Sequence, residues 1–209
     1  MDAYYQRNEV SNSDLSWLKK QMYGDDTPDP TEAYKFGTLV DALLTEFHKV
    51  DLFKKQVDGV QYKDEDWEAG LAMKKAFEKD AFCQNLLAQS STQEVMSKMR
   101  EFEFDTLKFS LNVRCKWDLF MDRLGWGGDI KSTAAATQKQ FEDAVKYFDY
   151  DRQRAWYMDI AGSNQDILIG ISKKNFKIFK VPIKRGGELY NSGKEKYSFL
   201  AFQWWTLFR

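Results

Sequence analysis

The stretch "RCKWDLFMDRLGWGGDIKST", residues 114–133, contains parts of two predicted β-strands and the turn that joins them. Apolar and polar residues alternate over 108–118, which predicts a strand with one buried and one polar face. Residues 126–131 form the second predicted strand, and "DRLG", 122–125, is a typical turn sequence. The stretch therefore predicts a β-hairpin.

Three side chains of this hairpin are candidates for metal binding or catalysis. Pairing Asp118 with Asp129 places the hairpin tip at 123–124. Because side chains alternate along a strand, Asp118, Asp129 and Lys131 are then expected on one side of the sheet. Two close carboxylates repel each other unless a cation lies between them, and Mg²⁺ or Mn²⁺ accepts such oxygen ligands. Lys131 could orient a water there or offset charge on a phosphate. An ordinary Asp–Lys pair on a sheet surface is the alternative.

The glycines of the stretch do not predict a nucleotide-binding loop. A P-loop requires GxxxxGK[ST] opening directly into a helix, whereas here the lysine follows Gly128 by three residues at the end of a strand. We expect these glycines to permit a close approach of the backbone beside the carboxylates.

The N-terminal part of the chain is predicted to be helical. Residues 11–22 form a short helix capped by Ser11 or Ser13, and "GDDTPDP", 24–30, forms a loop. Residues 31–47 form a longer helix, since apolar residues recur there at helical spacing. The apolar stripe comprises Phe36, Leu39, Val40, Leu43, Leu44 and Phe47.

The remaining pattern alternates strands with helices. Residues 101–104 are predicted to end a strand that precedes the hairpin, and further strands are predicted at 166–174 and 176–184. Helices are predicted at 64–89 in two pieces, 138–148, 149–161 and 186–209. Gly162 ends the helix at 149–161, on which Gln153 and Tyr157 share one face at i, i+4 spacing. These two side chains could bind a phosphate oxygen or hold the carboxylates, or simply be half-buried. Helices on both sides of a group of strands predict a single α/β domain.

The composition restricts the chemistry open to the chain. Of its 209 residues, 43% are hydrophobic, which is typical of a globular protein. A single histidine and two cysteines argue against zinc hydrolysis, a Ser-His-Asp triad and an iron–sulfur cluster. No apolar run approaches the roughly 20 residues that span a bilayer, and no export signal is present, so we expect a cytoplasmic protein without membrane contact.

The two halves of the chain differ in charge. Residues 1–110 hold 14 Lys+Arg and 21 Asp+Glu, whereas residues 111–209 hold 17 and 11. A basic second half is compatible with a local anion-binding face, although chance clustering on a solvated surface is the simpler explanation.

Taken together, the motifs resemble the PDDEXK nuclease superfamily. "RCKWDLFMDRLGWGGDIKST" and "DYDRQRAWYMDIAG", 149–162, match its D…(D/E)xK and QxxxY pattern in order and type. The similarity is to the RecE-type and RecB-type exonuclease branch, to which phage lambda exonuclease is also similar. "EVSNSDLSWLKK", 9–20, and "TEAYKFGTLVDALLTEF", 31–47, look like the N-terminal region of RecE-type domains.

The resemblance implies a restriction-endonuclease-like core, with a central mixed β-sheet flanked by helices. It implies one domain over 1–209, in which 1–90 is mainly helical and carries the first motif, and 91–209 forms the catalytic sheet and helices. The implied residues are the catalytic Asp118, Asp129, Lys131, Gln153 and Tyr157; the metal ligands Asp118, Asp129, the Ile130 carbonyl and Asp41; and the DNA contacts Ser132, Thr133, Gln153 and Tyr157. Asp41 stands where many RecB-like members carry a metal-binding histidine.

The implied activity is that of a DNA exonuclease dependent on Mg²⁺ or Mn²⁺, acting on linear double-stranded ends in recombination or repair, and phage-derived. An endonuclease on the same core is one alternative. A non-catalytic DNA-binding or assembly module is another. The resemblance further implies a ring-shaped homo-oligomer and a single-strand annealing protein as partners.

Overall fold

The computed structural model of the chain describes residues 3–24 and 29–208, so residues 25–28 of the predicted loop lie outside it. The helices of the described part are α1 (Asn12–Tyr23), α2 (Thr31–Thr45), α3 (Asp64–Lys79), α4 (Ala81–Gln89), α5 (Gln138–Tyr147), α6 (Tyr150–Ala161) and α7 (Glu188–Phe208). Its strands are β1 (Val50–Asp51), β2 (Gln56–Val57), β3 (Val60–Gln61), β4 (Ser91–Phe104), β5 (Leu107–Met121), β6 (Trp126–Thr133), β7 (Gln165–Ser172) and β8 (Ile178–Lys184). Short 3₁₀ turns occupy Ala3–Gln6 and Phe47–Lys49.

The longer strands form one mixed sheet in the order β4–β5–β6–β7–β8. Neighbouring strands run antiparallel except for β6 and β7, which run parallel. A parallel pair needs a long crossover connection, and α5 and α6 supply it. The predicted fold class, a central mixed sheet flanked by helices, is therefore confirmed.

The register of the β5–β6 hairpin agrees with the sequence prediction. Leu119 pairs with Gly128 and Met121 with Trp126, so Asp118 and Asp129 occupy the next positions along the two strands. The "DRLG" turn closes with hydrogen bonds from the amides of Leu124 and Gly125 to the carbonyl of Met121. The alternation of residue types and the turn sequence together had determined this register.

Each face of the sheet is covered by helices. One core joins the sheet to α5, α6 and α7 and contains Phe141, Trp156 and Tyr197. The other core joins it to α2, α3 and α4 and contains Val40 and Phe77. Within the described residues, no helix has the length and apolar character needed to cross a bilayer.

Strand β5 changes face at Asp118. Trp117 packs in the core beneath α6, whereas Leu119, two residues later, packs in the core beneath α2 and α3. In a regular strand, residues two apart share a face. The opposite position on β4 is Gln93, whose φ of 56° lies outside the extended region. This irregularity places the half-buried Asp118 at the junction of the two faces.

Strand β4 runs from Ser91 to Phe104, so residues 101–104 end a strand as predicted. Two details differ from the sequence prediction. The small sheet β1–β2–β3 was not predicted, because strands of two residues show no periodicity. The placement of Phe47 in the buried stripe was wrong: α2 ends at Thr45, and Phe47 is exposed.

Candidate active site

Asp118 is fixed by the backbone of the neighbouring strand. One of its carboxylate oxygens, Oδ2, accepts a hydrogen bond from the Ile130 amide at 2.7 Å. The N–H and C=O of one residue in an extended strand point to the same side. The Ile130 carbonyl therefore faces the side on which Asp118 lies. The described backbone pairing between β5 and β6 ends at Leu119 and Gly128, so it does not include Asp118 and Asp129.

The glycines of β6 allow the close packing on which the hairpin depends. A Cβ atom added at Gly127 would lie 2.0 Å from the Leu119 carbonyl oxygen. One added at Gly128 would lie 2.9 Å from Cγ2 of Ile167 on β7. Both separations are too short for real contacts, which confirms the predicted close approach of the backbone.

Asp129 is buried between two cations. Its Oδ2 lies 2.6 Å from Nζ of Lys131, and its Oδ1 accepts a hydrogen bond from Nη1 of Arg154 at 2.9 Å. Asp129 is only 2% exposed, so these are interior ion pairs. Lys131 also lies over the ring of Tyr150, with Nζ 5.0 Å from the ring centroid. The predicted Asp129–Lys131 pair exists, but it is not a surface pair.

Arg154 is the residue that the sequence reasoning missed. It is completely buried on α6 and bridges two carboxylates, because its Nε donates to Oδ2 of Asp166 at 2.7 Å. The guanidinium lies 4.5 Å from the ring centroids of both Trp117 and Tyr157. The available signal was an arginine inside the QxxxY motif itself, on a helix that also carries Asp151, Arg152 and Asp159.

Burial and like charge shift the acidic groups of the site. Burial and the nearby Asp129 raise the pKa of Asp118 to about 6. Burial and the Asp118 carboxylate raise the pKa of Asp41 well above its usual range. Burial also raises the pKa of Asp166 to about 7, although Arg154 counteracts this. The carboxylates thus lie close enough to repel one another.

The cations of the site are held in their charged forms. Burial alone would lower the pKa of Lys131, but the adjacent Asp129 and Asp118 outweigh it and raise that pKa. Counting the four carboxylates Asp41, Asp118, Asp129 and Asp166 against Lys131 and Arg154 leaves two excess negative charges when all are ionised. A divalent cation would balance this excess.

The two QxxxY side chains occupy different environments. Tyr157 is buried; its ring and that of Trp117 meet edge to face with centroids 5.6 Å apart, and the Arg154 guanidinium lies over its face. Burial raises its pKa well above the usual range. Gln153 is half-buried one residue before Arg154, and no hydrogen bond in the described part of the chain joins its amide to Asp118, Asp129 or Lys131. Their catalytic and DNA-binding roles stay predictions.

The other predicted residues surround the hairpin. Ser132 and Thr133 are half-buried at the end of β6, and Oγ1 of Thr133 accepts a hydrogen bond from the Ala135 amide at 3.1 Å. Asp41 is half-buried on α2, and the negative charge of Asp118 acts on it. The fold brings Asp41, Asp118, Asp129 and Lys131 into one electrostatically coupled group.

The donor set fits a divalent cation held by two carboxylates. Mg²⁺ is usually bound by one or two carboxylates, with water and substrate phosphate completing its coordination. Oδ2 of Asp129 is buried and, although in ion-pair contact with Lys131, accepts no well-directed hydrogen bond. Over 3–24 and 29–208, no three His, Cys, Asp or Glu side chains are grouped to hold a metal. Asp41 as a third ligand stays a prediction.

A mixed five-stranded sheet with D…DxK on its hairpin and QxxxY on α6, the second helix after that hairpin, has the features of a PDDEXK-like domain. Residues 14–177 match the model of the family described as "PDDEXK-like domain of unknown function (DUF3799)". This match covers more than half of the chain, which therefore belongs to that family. A search of curated proteins found no match.

Two solved structures are similar over most of the chain. "Crystal structure of SSO0001" has a TM-score of 0.40 and 10% identity, and the match covers 90% of this chain and 84% of that one. A phage-related exonuclease from Haemophilus somnus 129PT has a TM-score of 0.39 and 15% identity, with 93% of this chain and 96% of that one covered.

Proposed function

We propose that the chain is a metal-dependent deoxyribonuclease, specifically a RecE-like exonuclease that hydrolyses phosphodiester bonds at linear duplex ends in recombination or repair. The observation that carries the proposal is the convergence of Asp118, Asp129 and Lys131 on one hairpin. Family membership supports a PDDEXK-type site at this position. A ring-shaped homo-oligomer, a single-strand annealing partner and a cytoplasmic location belong to the same proposal.

The proposal gives each residue of the site a role. Asp118, Asp129 and the Ile130 carbonyl would hold Mg²⁺ or Mn²⁺, which when bound would polarise the phosphodiester and lower the pKa of a water. Lys131 is held as an ammonium by Asp129, so it donates hydrogen bonds to the attacking water or to the phosphate oxygens. Arg154 keeps the Asp129 carboxylate in place through its hydrogen bond to Oδ1. Ser132 and Thr133 would donate hydroxyl hydrogen bonds to a phosphate of the DNA.

The test compares the site with a matched surface pair. Linear duplex DNA and Mg²⁺ are incubated with the wild type, Asp129→Asn and Lys131→Ala. Asp143→Asn and Lys139→Ala serve as controls, because these residues form an exposed ion pair on α5 at 2.8 Å. We expect both site variants to lose degradation and both controls to retain it. Robust degradation by both site variants would refute the assignment. Cutting of closed circular DNA would instead indicate an endonuclease.

A second candidate function is a non-catalytic DNA-binding module. The observation that favours it is that Lys131 and Arg154 already contact both oxygens of Asp129. Titration calorimetry with Mg²⁺ separates the two functions. Binding that disappears in Asp129→Asn supports the nuclease, and absence of any carboxylate-dependent binding supports the module.

A further inference from the structure

The connection between α5 and α6 carries an aromatic cluster beside the candidate site. Its sequence is "YFDY", 147–150. Tyr147 is 71% exposed and Phe148 56% exposed, whereas Tyr150 is half-buried. The buried face of α5 is formed by Phe141 and Val145, so the exposed rings of Tyr147 and Phe148 are not part of that face. Large aromatic side chains at such exposure have surface available for a ligand.

The three rings form a series that ends at Lys131. The Tyr147 and Phe148 rings meet edge to face with centroids 4.8 Å apart. The Phe148 and Tyr150 rings stack at 5.6 Å with an angle of 27° between their planes. Nζ of Lys131 lies 5.0 Å from the centroid of the Tyr150 ring. The series therefore connects solvent to the ammonium group that would contact the phosphate.

The backbone that carries the rings is anchored from two sides. Asp149 has φ 55°, in the left-handed region, and this reversal sets Phe148 beside Tyr150. Its carboxylate forms ion pairs with Lys19 of α1 at 2.5 Å and with Lys196 of α7 at 3.0 Å. These contacts hold the left-handed residue in place, so the rings are positioned before any ligand binds.

We propose that Tyr147, Phe148 and Tyr150 form a stacking platform for an unpaired nucleobase of the DNA strand whose phosphate reaches Lys131. Stacking on aromatic side chains is how proteins bind single strands without sequence preference, because every base has a π-face. Bases inside a duplex are already stacked on each other, so exposed rings next to a phosphate-binding cation suit a base that has left the duplex. The inference rests on the proposed function and deepens it by naming the form of the substrate.

The test measures binding in EDTA, so that it does not depend on cleavage. The probes are a fluorescent single-stranded oligodeoxynucleotide and an oligomer of the same length that lacks every base. Loss of one stacked base on alanine substitution corresponds to roughly a fivefold to hundredfold weaker Kd. We expect Phe148→Ala to weaken binding of the normal oligonucleotide by about this factor and to leave binding of the abasic one unchanged. Phe148→Tyr should retain the wild-type affinity for both.

The matched control is Phe53→Ala, since Phe53 is fully exposed on a segment outside the cluster. It should bind both probes as the wild type does. Equal weakening of both probes by Phe148→Ala, or no weakening, overturns the inference. The result is separable from the nuclease proposal: base-dependent binding without Mg²⁺-dependent cleavage would leave the platform standing and refute the nuclease. Cleavage that depends on Asp129, together with binding that does not depend on the bases, would support the nuclease and refute the platform.

Discussion

Replacing Arg154 by methionine should be among the most destabilising single changes near the site. The side chain is completely buried and carries ion pairs to Asp129 at 2.9 Å and to Asp166 at 2.7 Å. Removing one partner of a buried ion pair typically costs about 3–5 kcal/mol, because the remaining charge is uncompensated. Methionine keeps much of the volume between Trp117 and Tyr157, so the charge is the main loss.

Two carboxylates lose a partner, yet the cost should not double. The pKa of Asp166 is about 7 even with Arg154 present, raised by burial. Without the guanidinium that pKa rises further, so Asp166 takes up a proton at neutral pH, whereas Asp129 stays charged with Lys131 at 2.6 Å as its remaining partner. We therefore expect Arg154→Met to lower the free energy of unfolding by about 3 kcal/mol, the lower end of the range for a broken buried pair. The double variant Arg154→Met/Asp166→Asn should be no less stable than the single one.

Urea denaturation followed by tryptophan fluorescence measures both variants. A second readout is stabilisation by Mg²⁺, since a ligand that binds only the folded state raises its stability. Arg154→Met releases Oδ1 of Asp129, so Mg²⁺ should stabilise this variant more than the wild type. A loss below about 1 kcal/mol, outside the range for a broken buried pair, would show that Arg154 does not compensate the buried charge. A further loss on adding Asp166→Asn would show the same.

Three other outcomes follow from the structure. Asp159 accepts hydrogen bonds from Arg100, Arg185, Tyr190 and Tyr197, which lower its pKa to about 2 despite burial. Because the pKa of Asp159 is depressed in the folded state, this stabilisation is present above about pH 4 and is lost toward pH 2. Asp159→Asn should therefore lower the free energy of unfolding by about 1–2 kcal/mol at pH 7, measured by thermal or urea unfolding. The difference from the wild type should vanish toward pH 2. Gly127→Ala should destabilise the fold by about 2 kcal/mol or more, because the added Cβ would meet the Leu119 carbonyl. Gly37 lies on a helix with open space around it, so Gly37→Ala should stabilise the fold by roughly 0.5–1 kcal/mol in the same unfolding assay. Burial raises the pKa of both Cys83 and Cys115 to about 12, so thiol reagents should modify them only as fast as the protein unfolds, and rapid labelling under native conditions would contradict this burial.

The hairpin was predictable because its determinants are local. The alternation over β5 and the "DRLG" turn leave one register that buries the apolar face, and the same register aligns Asp118 with Asp129. The helices α3 and α4 were equally predictable as two pieces, since Asp80 ends one and caps the other by accepting the Cys83 amide at 3.0 Å. Signals of this kind require no knowledge of distant parts of the chain.

The role of Arg154 could not be predicted in the same way. Its partner Asp166 is on β7, and the two meet only because β7 pairs parallel to β6 after the α5–α6 crossover. The change of face at Asp118 is also tertiary, since it depends on packing against both cores. Sequence spacing identified the QxxxY helix, but only the assembled sheet shows that the arginine between Gln153 and Tyr157 contacts a candidate metal ligand.

The arrangement around Asp129 implies an exchange of partners when a cation binds. Lys131 and Arg154 compensate the buried carboxylate in the folded chain without a metal. Asp118 and Asp129 would hold a divalent cation while Arg154 stays bound to Oδ1 of Asp129 and also to Asp166. Lys131 is half-buried whereas Arg154 is completely buried, so Lys131 is the partner that can move. With a cation held there, Lys131 would be available to donate to the phosphate, while Arg154 keeps Asp129 in position.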